Sequence, residues 1–295
     1  MNTRKDRAVG AGTQVFTEVS INFGSALAGL LIPIVGVVAI ITSRQVMTAI
    51  CVLPFYRPKL RGLSLRMLWP ALALGLVLAA MNFTFYESVG RLGLGIAATI
   101  EFLGPLAVAL AASRRLLDFA CALAAGVGVV LLTGPEGQQL DGLGVVFALL
   151  AAACWAAYIL LTRRVATQLP GLEGLSIATI VALVILLPIA FFVVDWSTFS
   201  WFAIGLLVAG GILSSALPYS LDTFILRRIT PRLYAIITSC SPAIAAGFGA
   251  LILAETLSPV QLVGIATVCT AAGVAIATQR DRPTTELEAS AHTIT

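Results

Sequence analysis

The chain has 295 residues, 59% of them hydrophobic and 11% charged, with a mean hydropathy of +1.01 and a formal net charge of +4. An ordinary soluble domain carries about 25% charge, so the composition excludes a soluble globular domain and a disordered chain. The 18 basic residues are spread through an apolar sequence rather than gathered on one solvated face, which argues against nucleic-acid binding.

A bilayer hydrocarbon core about 30 Å thick is crossed by about 20 apolar residues at about 1.5 Å each. Ten such runs are predicted, over 12–33, 36–55, 67–87, 92–112, 116–133, 142–162, 174–194, 199–226, 233–253 and 259–278. They are continuous rather than alternating, unlike barrel strands of about 10 residues. The expected fold is an all-α integral membrane protein of ten transmembrane helices.

The first run follows Arg4, Lys5 and Arg7 and contains Glu18, Ser20 and Asn22, polar residues that a secretory signal core lacks. Glu18, Asn22 and Ser25 fall on one face at i, i+4 and i, i+3 spacing. That stripe could line a cytoplasmic gate or access path; equally, Glu18 could snorkel to the headgroups. The second run contains Arg44, the third Asn82 and the fourth Glu101. A charge at mid-bilayer costs at least about 2.5–3.5 kcal/mol, so each should face a cavity or a partner. Arg44 and Glu101 each lie about eight residues from the external end of their runs, roughly 12 Å deep, with Asn82 near the same level. A base, an acid and an amide at one depth could hold the ammonium and carboxylate of a zwitterion, and Glu101 would also suit proton coupling. An Arg44–Glu101 salt bridge that only fixes packing is the alternative. In the sixth run Trp155 and Tyr158 stand one turn apart and could wall a substrate or simply pack between helices. In the eighth run Pro218 frees a backbone carbonyl beside Tyr219 and Ser220, four residues before Asp222, which suits a gate or a kink with an interfacial acid.

Lys and Arg near helix ends are retained in the cytoplasm. Arg4, Lys5, Arg7, Arg57, Lys59, Arg61, Arg66, Arg114, Arg115, Arg163, Arg164, Arg227, Arg228, Arg232, Arg280 and Arg282 all fall on one side of the ten-run map, 16 of the 18 basic residues. The opposite connections carry Glu87, Glu136, Asp141, Asp195 and Glu255, with Arg91 the one cation there. Both termini are therefore expected in the cytoplasm.

At an offset of 137 residues Pro105 overlies Pro242, and the connection with Tyr86 and Arg91 overlies that with Thr223 and Arg228. The expected organisation is a cytoplasmic N-terminal segment 1–11, a five-helix repeat 12–133, an external linker 134–141, a second five-helix repeat 142–278 and a disordered cytoplasmic tail 279–295. Five is odd, so the copies are inverted across the membrane, an arrangement that suits alternating access to a central site. Gly and Ala crowd several runs, which fits close packing within the chain as well as contact between copies and leaves the oligomeric state open.

Cys51, Cys121, Cys154, Cys240 and Cys269 all lie in apolar runs without paired spacing and read as small hydrophobes. The sole histidine, His292, is in the tail, so no histidine metal site or serine–histidine dyad is available in the membrane. Asp222 is the one aspartate predicted inside a run other than the helix-end Asp118, which disfavours an aspartyl dyad. No metal, no cofactor and no enzymatic activity are expected.

Met81-Asn-Phe-Thr-Phe-Tyr86, Glu101-Phe-Leu-Gly-Pro105-Leu-Ala-Val-Ala-Leu110, Cys154-Trp-Ala-Ala-Tyr158, Ala216-Leu-Pro-Tyr219 and Glu255-Thr-Leu-Ser-Pro259-Val-Gln261 resemble segments of the EamA-domain drug/metabolite transporters, and within them the inner-membrane threonine/homoserine exporters. The resemblance implies a multi-pass exporter of small amino acids in the bacterial cytoplasmic membrane, driven by proton antiport. It also implies that Glu101, Asn82, Tyr158 and Tyr219 line the cavity and that Asp222 holds a position where the family keeps an acid. The expected partners are a small-molecule amino-acid or metabolite substrate, protons and the lipid bilayer. The alternatives are export of another small metabolite or drug by the same fold, a membrane scaffold, or an intramembrane enzyme.

Overall fold

The computed structural model describes residues 4–54, 65–111, 116–133, 141–166, 168–169, 173–218, 221, 225 and 228–278, and the described residues form helices and no strand. In chain order the helices are α1 (Arg4–Val52), α2 (Leu65–Leu92), α3 (Leu94–Glu101), α4 (Leu103–Ala111), α5 (Leu116–Thr133), α6 (Gly142–Ala166), α7 (Glu173–Val193) and α8 (Trp201–Gly211). A π segment, Ile212–Ala216, follows α8, and then come α9 (Pro231–Thr238), α10 (Ser241–Ile252) and α11 (Pro259–Thr278). Six helical stretches among the described residues are long and apolar enough to cross a membrane, and shorter apolar helices span Leu94–Val108, Leu116–Leu132 and Trp201–Ala216.

Runs predicted as the first and second spans form one stretch bent at Gly36, whose φ of 77° and ψ of 164° lie outside the helical region. Glycine alone adopts such a conformation without steric cost. Gly24 before the bend lies against the backbone of Gly210 and Ser214, while Gly211 lies against Met47 and Arg44 after it. A straight helix would separate residues 24 and 44 by about 30 Å, so both can reach the same turn of α8 only if the chain folds back at Gly36.

Two further helix breaks coincide with prolines, while Pro70 and Pro188 stand inside the unbroken α2 and α7. Pro105 has no N–H for the carbonyl of Glu101, and Pro242 has none for that of Thr238. The run predicted over 92–112 accordingly divides into α3, ending at Glu101, and α4, and the run over 233–253 divides into α9, ending at Thr238, and α10. Both α3 and α9 have 8 residues, and their ends coincide at the offset of 137 (231 − 94 and 238 − 101). Ahead of Pro218 the run predicted over 199–226 widens into the π segment, after which Leu217 and Pro218 are again helical. Other starts are set locally, by Ser200 Oγ accepting from Ala203 N at 3.1 Å and by Thr230 Oγ1 accepting from Leu233 N at 3.3 Å ahead of Pro231.

The interior is polar for a bundle so apolar overall. Gln14, Thr17, Glu18, Ser20, Asn22 and Ser25 are buried, whereas Leu76, Val130, Val184, Phe192 and Leu251 are exposed. This inversion suits a bundle whose outer faces meet lipid. Small residues allow the closest approaches: a Cβ on Gly128 of α5 would stand 2.9 Å from the Gly264 carbonyl of α11. Apolar clusters tie the rest, one of them joining Leu31, Ile40 and Ile41 of α1 to Tyr86 of α2 and to Ala182 and Leu186 of α7.

Candidate transport site

Two places each enclose a buried carboxyl, Glu101 in one and Glu18 in the other. The first lies where α3 breaks. Glu101 is 9% exposed, and its carboxyl makes no hydrogen bond or ion pair with a described residue. The charges of Arg44 and of the Glu101 carboxylate act on one another, and Cys154 of α6 lies within reach of the same carboxylate. Beside Cys154, the half-buried Trp155 meets Phe102 edge to face, with ring centroids 5.8 Å apart. Tyr158, one turn on, packs with Ala71, Leu74 and Ile177.

Arg44 is not in a salt bridge with Glu101. Its Nη1 donates to the hydroxyl of Tyr86, its Nη2 to the Ser214 carbonyl at 3.4 Å, and its Cζ lies 5.3 Å from the Tyr86 ring centroid. Ser214 stands four residues before Pro218, so its carbonyl is the one that the missing proline N–H leaves open. The neighbouring carbonyl, Leu213 O, accepts from Ser20 Oγ at 2.8 Å. The π segment thus offers acceptors to both legs of α1. Asn82 stands one turn before Tyr86 on α2; its Nδ2 donates to Leu78 O at 2.8 Å, and its amide oxygen has no partner among the described residues.

The second place is the seam between α1 and the break of α9. Glu18 is 3% exposed, and its Oε1 accepts from Thr238 Oγ1 at 2.7 Å and from Gln14 Nε2 at 3.0 Å. Asn22 Nδ2 donates to Glu18 O and to Ser241 Oγ, each at 2.9 Å. Glu18 therefore does not reach the headgroups; it is tied by hydrogen bonds into the interior. Thr238 is the residue that overlies Glu101 at the offset of 137, so the two helix breaks each meet a buried carboxyl, one carrying it and the other receiving it from α1.

Pro218 is buried after the π segment, whereas the predicted Tyr219 and Asp222 lie outside the described residues. Reasoning from sequence missed Tyr86 as the partner of Arg44 and Gln14 and Thr238 as the partners of Glu18. The 137-residue offset contained the signal for Thr238, because it places that residue on Glu101.

The profile of the EamA-like transporter family matches residues 142–278. Over 272 residues the chain is 35% identical to the threonine/homoserine exporter RhtA of Escherichia coli strain K12, covering 91% of this chain and 92% of that protein. The chain belongs to the EamA-like transporter family. It is also 34% identical over 266 residues to the threonine/homoserine exporter RhtA of Salmonella typhimurium strain LT2, covering 90% of each. A solved crystal structure shares the fold, with a TM-score of 0.63 at 18% identity over 95% of this chain and all of that one. As an EamA-like transporter the protein is a multi-pass membrane protein and not an enzyme.

Proposed function

We propose that this EamA-like transporter exports threonine, homoserine or a related small amino acid across the bacterial cytoplasmic membrane by proton antiport. The observation that carries the reading is Glu101: a buried carboxyl at a helix break, held by no hydrogen bond from a described residue and close to the charge of Arg44. Such a group is ready to exchange a proton for the ammonium of a substrate. Arg44, on its Tyr86 and Ser214 anchors, faces the substrate carboxylate, and the spare amide oxygen of Asn82 adds an acceptor. Trp155 and Tyr158 form the wall, Glu18 and Asn22 belong to the cytoplasmic access path, and Pro218 with Tyr219 and Asp222 forms a gate.

The same reading gives the chain ten spans in two inverted five-helix repeats with both termini in the cytoplasm. Its supports are the fold-back at Gly36, the coincidence of α3 with α9 at one offset, and the one-sided distribution of Lys and Arg. The deciding experiment is efflux of preloaded radiolabelled threonine and homoserine from cells with wild type or Glu101→Gln, with and without a protonophore. Wild type should accelerate efflux, the protonophore should suppress it, and Glu101→Gln should abolish it at equal membrane level. No difference from cells without the protein refutes the cargo.

A further inference from the structure

Glu255, in the connection between α10 and α11, is set into a site built for one carboxylate. Its Oε1 accepts from Leu94 N at 2.6 Å and its Oε2 from Gly95 N at 3.3 Å, the first amides of α3. The residue at the N-cap position of α3 is Gly93, at φ 85°, which has no side chain with which to cap those amides. Glu255 supplies the cap from the connection after the neighbouring α10, at a helix end whose free N–H groups and dipole favour an anion.

The surroundings are shaped to it. A Cβ on Gly93 would stand 2.7 Å from Glu255 Cδ, and a Cβ on Gly249 would collide with the same carboxylate, so the group is sandwiched between two glycines. Ala254 adopts φ 54°, the left-handed region that costs a residue with a side chain about 1–2 kcal/mol. Among the described residues it is the one non-glycine with positive φ. The Glu255 N–H donates to Gly249 O at 3.1 Å, which pins the connection to α10. The backbone is bent at some cost to bring this carboxylate onto α3.

At its other end α3 carries Glu101. The helix has 8 residues, so its first and last lie about 10 Å apart, too short a length to flex. Gly95 packs so closely on α10 that a Cβ there would stand 2.8 Å from Ala246 Cα, and any sliding of α3 along α10 has to begin with release of Glu255.

We propose that Glu255 is the positioning residue of the Glu101 station: by holding the N-terminus of α3 it sets where the Glu101 carboxyl stands, and substrate affinity depends on that hold. The proposal rests on the reading of Glu101 as the substrate-binding carboxyl, and its test has an arm that needs no cargo. In the first arm, Glu255→Ala, Glu255→Asp and Glu255→Gln are compared in amino-acid efflux for KM against maximal rate. Glu255→Ala should raise KM about fivefold or more, with maximal rate and membrane level changed less than about twofold, and Glu255→Asp, too short to span both amides, should fall between.

In the second arm, Glu101→Cys is placed in the full-length chain with its five native cysteines replaced, and its labelling rate by a membrane-impermeant thiol reagent is measured with Glu255 or with Glu255→Ala. The rate should change about threefold or more. An unchanged labelling rate overturns the proposal, as does a loss of maximal rate with KM unaltered. If wild type moves neither amino acid, the cargo reading fails while the labelling arm still decides the role of Glu255. If Glu255→Ala does not reach the membrane, Glu255→Gln, which keeps the shape, serves both arms with the same outcomes.

Discussion

Tyr86→Phe removes one oxygen and leaves the packing intact, which makes it a clean probe of what holds Arg44. Tyr86 is 0% exposed, and its ring meets Phe85 edge to face at 5.2 Å, contacts that a phenyl ring keeps. The variant loses the bond from Arg44 Nη1, leaving the guanidinium with the longer one to Ser214 O at 3.4 Å and with Nε already buried and unpartnered. A hydrogen bond to a charged group contributes about 1.5–3 kcal/mol. Arg44 is only half-buried, so solvent recovers part of this and the lower end, about 1–1.5 kcal/mol, applies. In a chain of this size that is a fall in Tm of roughly 2–5 °C, read by thermal unfolding in detergent. KM should rise at the same time, since a loosely held guanidinium has to be ordered when substrate binds. In an Arg44→Gln background, Tyr86→Phe should add less than about 0.5 kcal/mol. A Tm within about 1 °C of wild type together with an unchanged KM refutes the anchor.

Thr238→Val, nearly isosteric, removes the donor to Glu18 Oε1 and the acceptor for Gln14, so a fall in Tm equivalent to about 1–3 kcal/mol is expected; Ser241→Ala, which deletes one partner of Asn22, should cost less. Gly93→Ala places a Cβ at positive φ against Glu255 and should destabilise by at least about 1–2 kcal/mol, again read as Tm. Asp141 is held below its ordinary value of 3.8 by the hydrogen bond from Arg91 and then by the Leu143 N–H. A depressed carboxyl stabilises above its unfolded value and loses that contribution as pH falls through the folded one. Asp141→Asn should therefore lower Tm at pH 7, with the difference closing on acidification below about 3.8. Burial pushes Glu255 above its ordinary 4.5, against the opposing N–H groups of Leu94 and Gly95. Its contribution is complete below 4.5 and is lost as pH rises through the folded value, so Glu255→Gln should flatten that part of the Tm–pH curve.

Much of the architecture is legible residue by residue. Membrane residence follows from composition because the free energy of inserting a helix is close to a sum over its own side chains. Pro105, Pro218 and Pro242 each deprive one carbonyl of its N–H partner, and α3, α8 and α9 break or distort there, although Pro70 and Pro188 sit inside α2 and α7 without breaking them. The polar stripe on one face of the first run had to avoid lipid, by burial or by snorkelling, and Glu18, Asn22 and Ser25 are buried.

Partnership is a different kind of fact. Matching depth lets Arg44 and Glu101 share one level, and their charges do act on one another, yet depth is a single coordinate and the rotation of each helix decides which donor or acceptor a side chain bonds. The structure turns Arg44 to Tyr86 and to the Ser214 carbonyl opened by Pro218. Glu18 has Thr238 as its partner across 220 residues, and Glu255 reaches the amides of α3 across 161 and 160. Apart from Gln14, one turn before Glu18, nothing local to these carboxylates names a donor. Sequence alone determined that this chain lives in a membrane, because insertion depends on local free energies, whereas Pro70 and Pro188 stand inside unbroken helices while Pro105 and Pro242 mark breaks, so which helix yields is settled by packing. Which buried charge answers which donor was decided by the tertiary structure, because it depends on which helix faces are brought together.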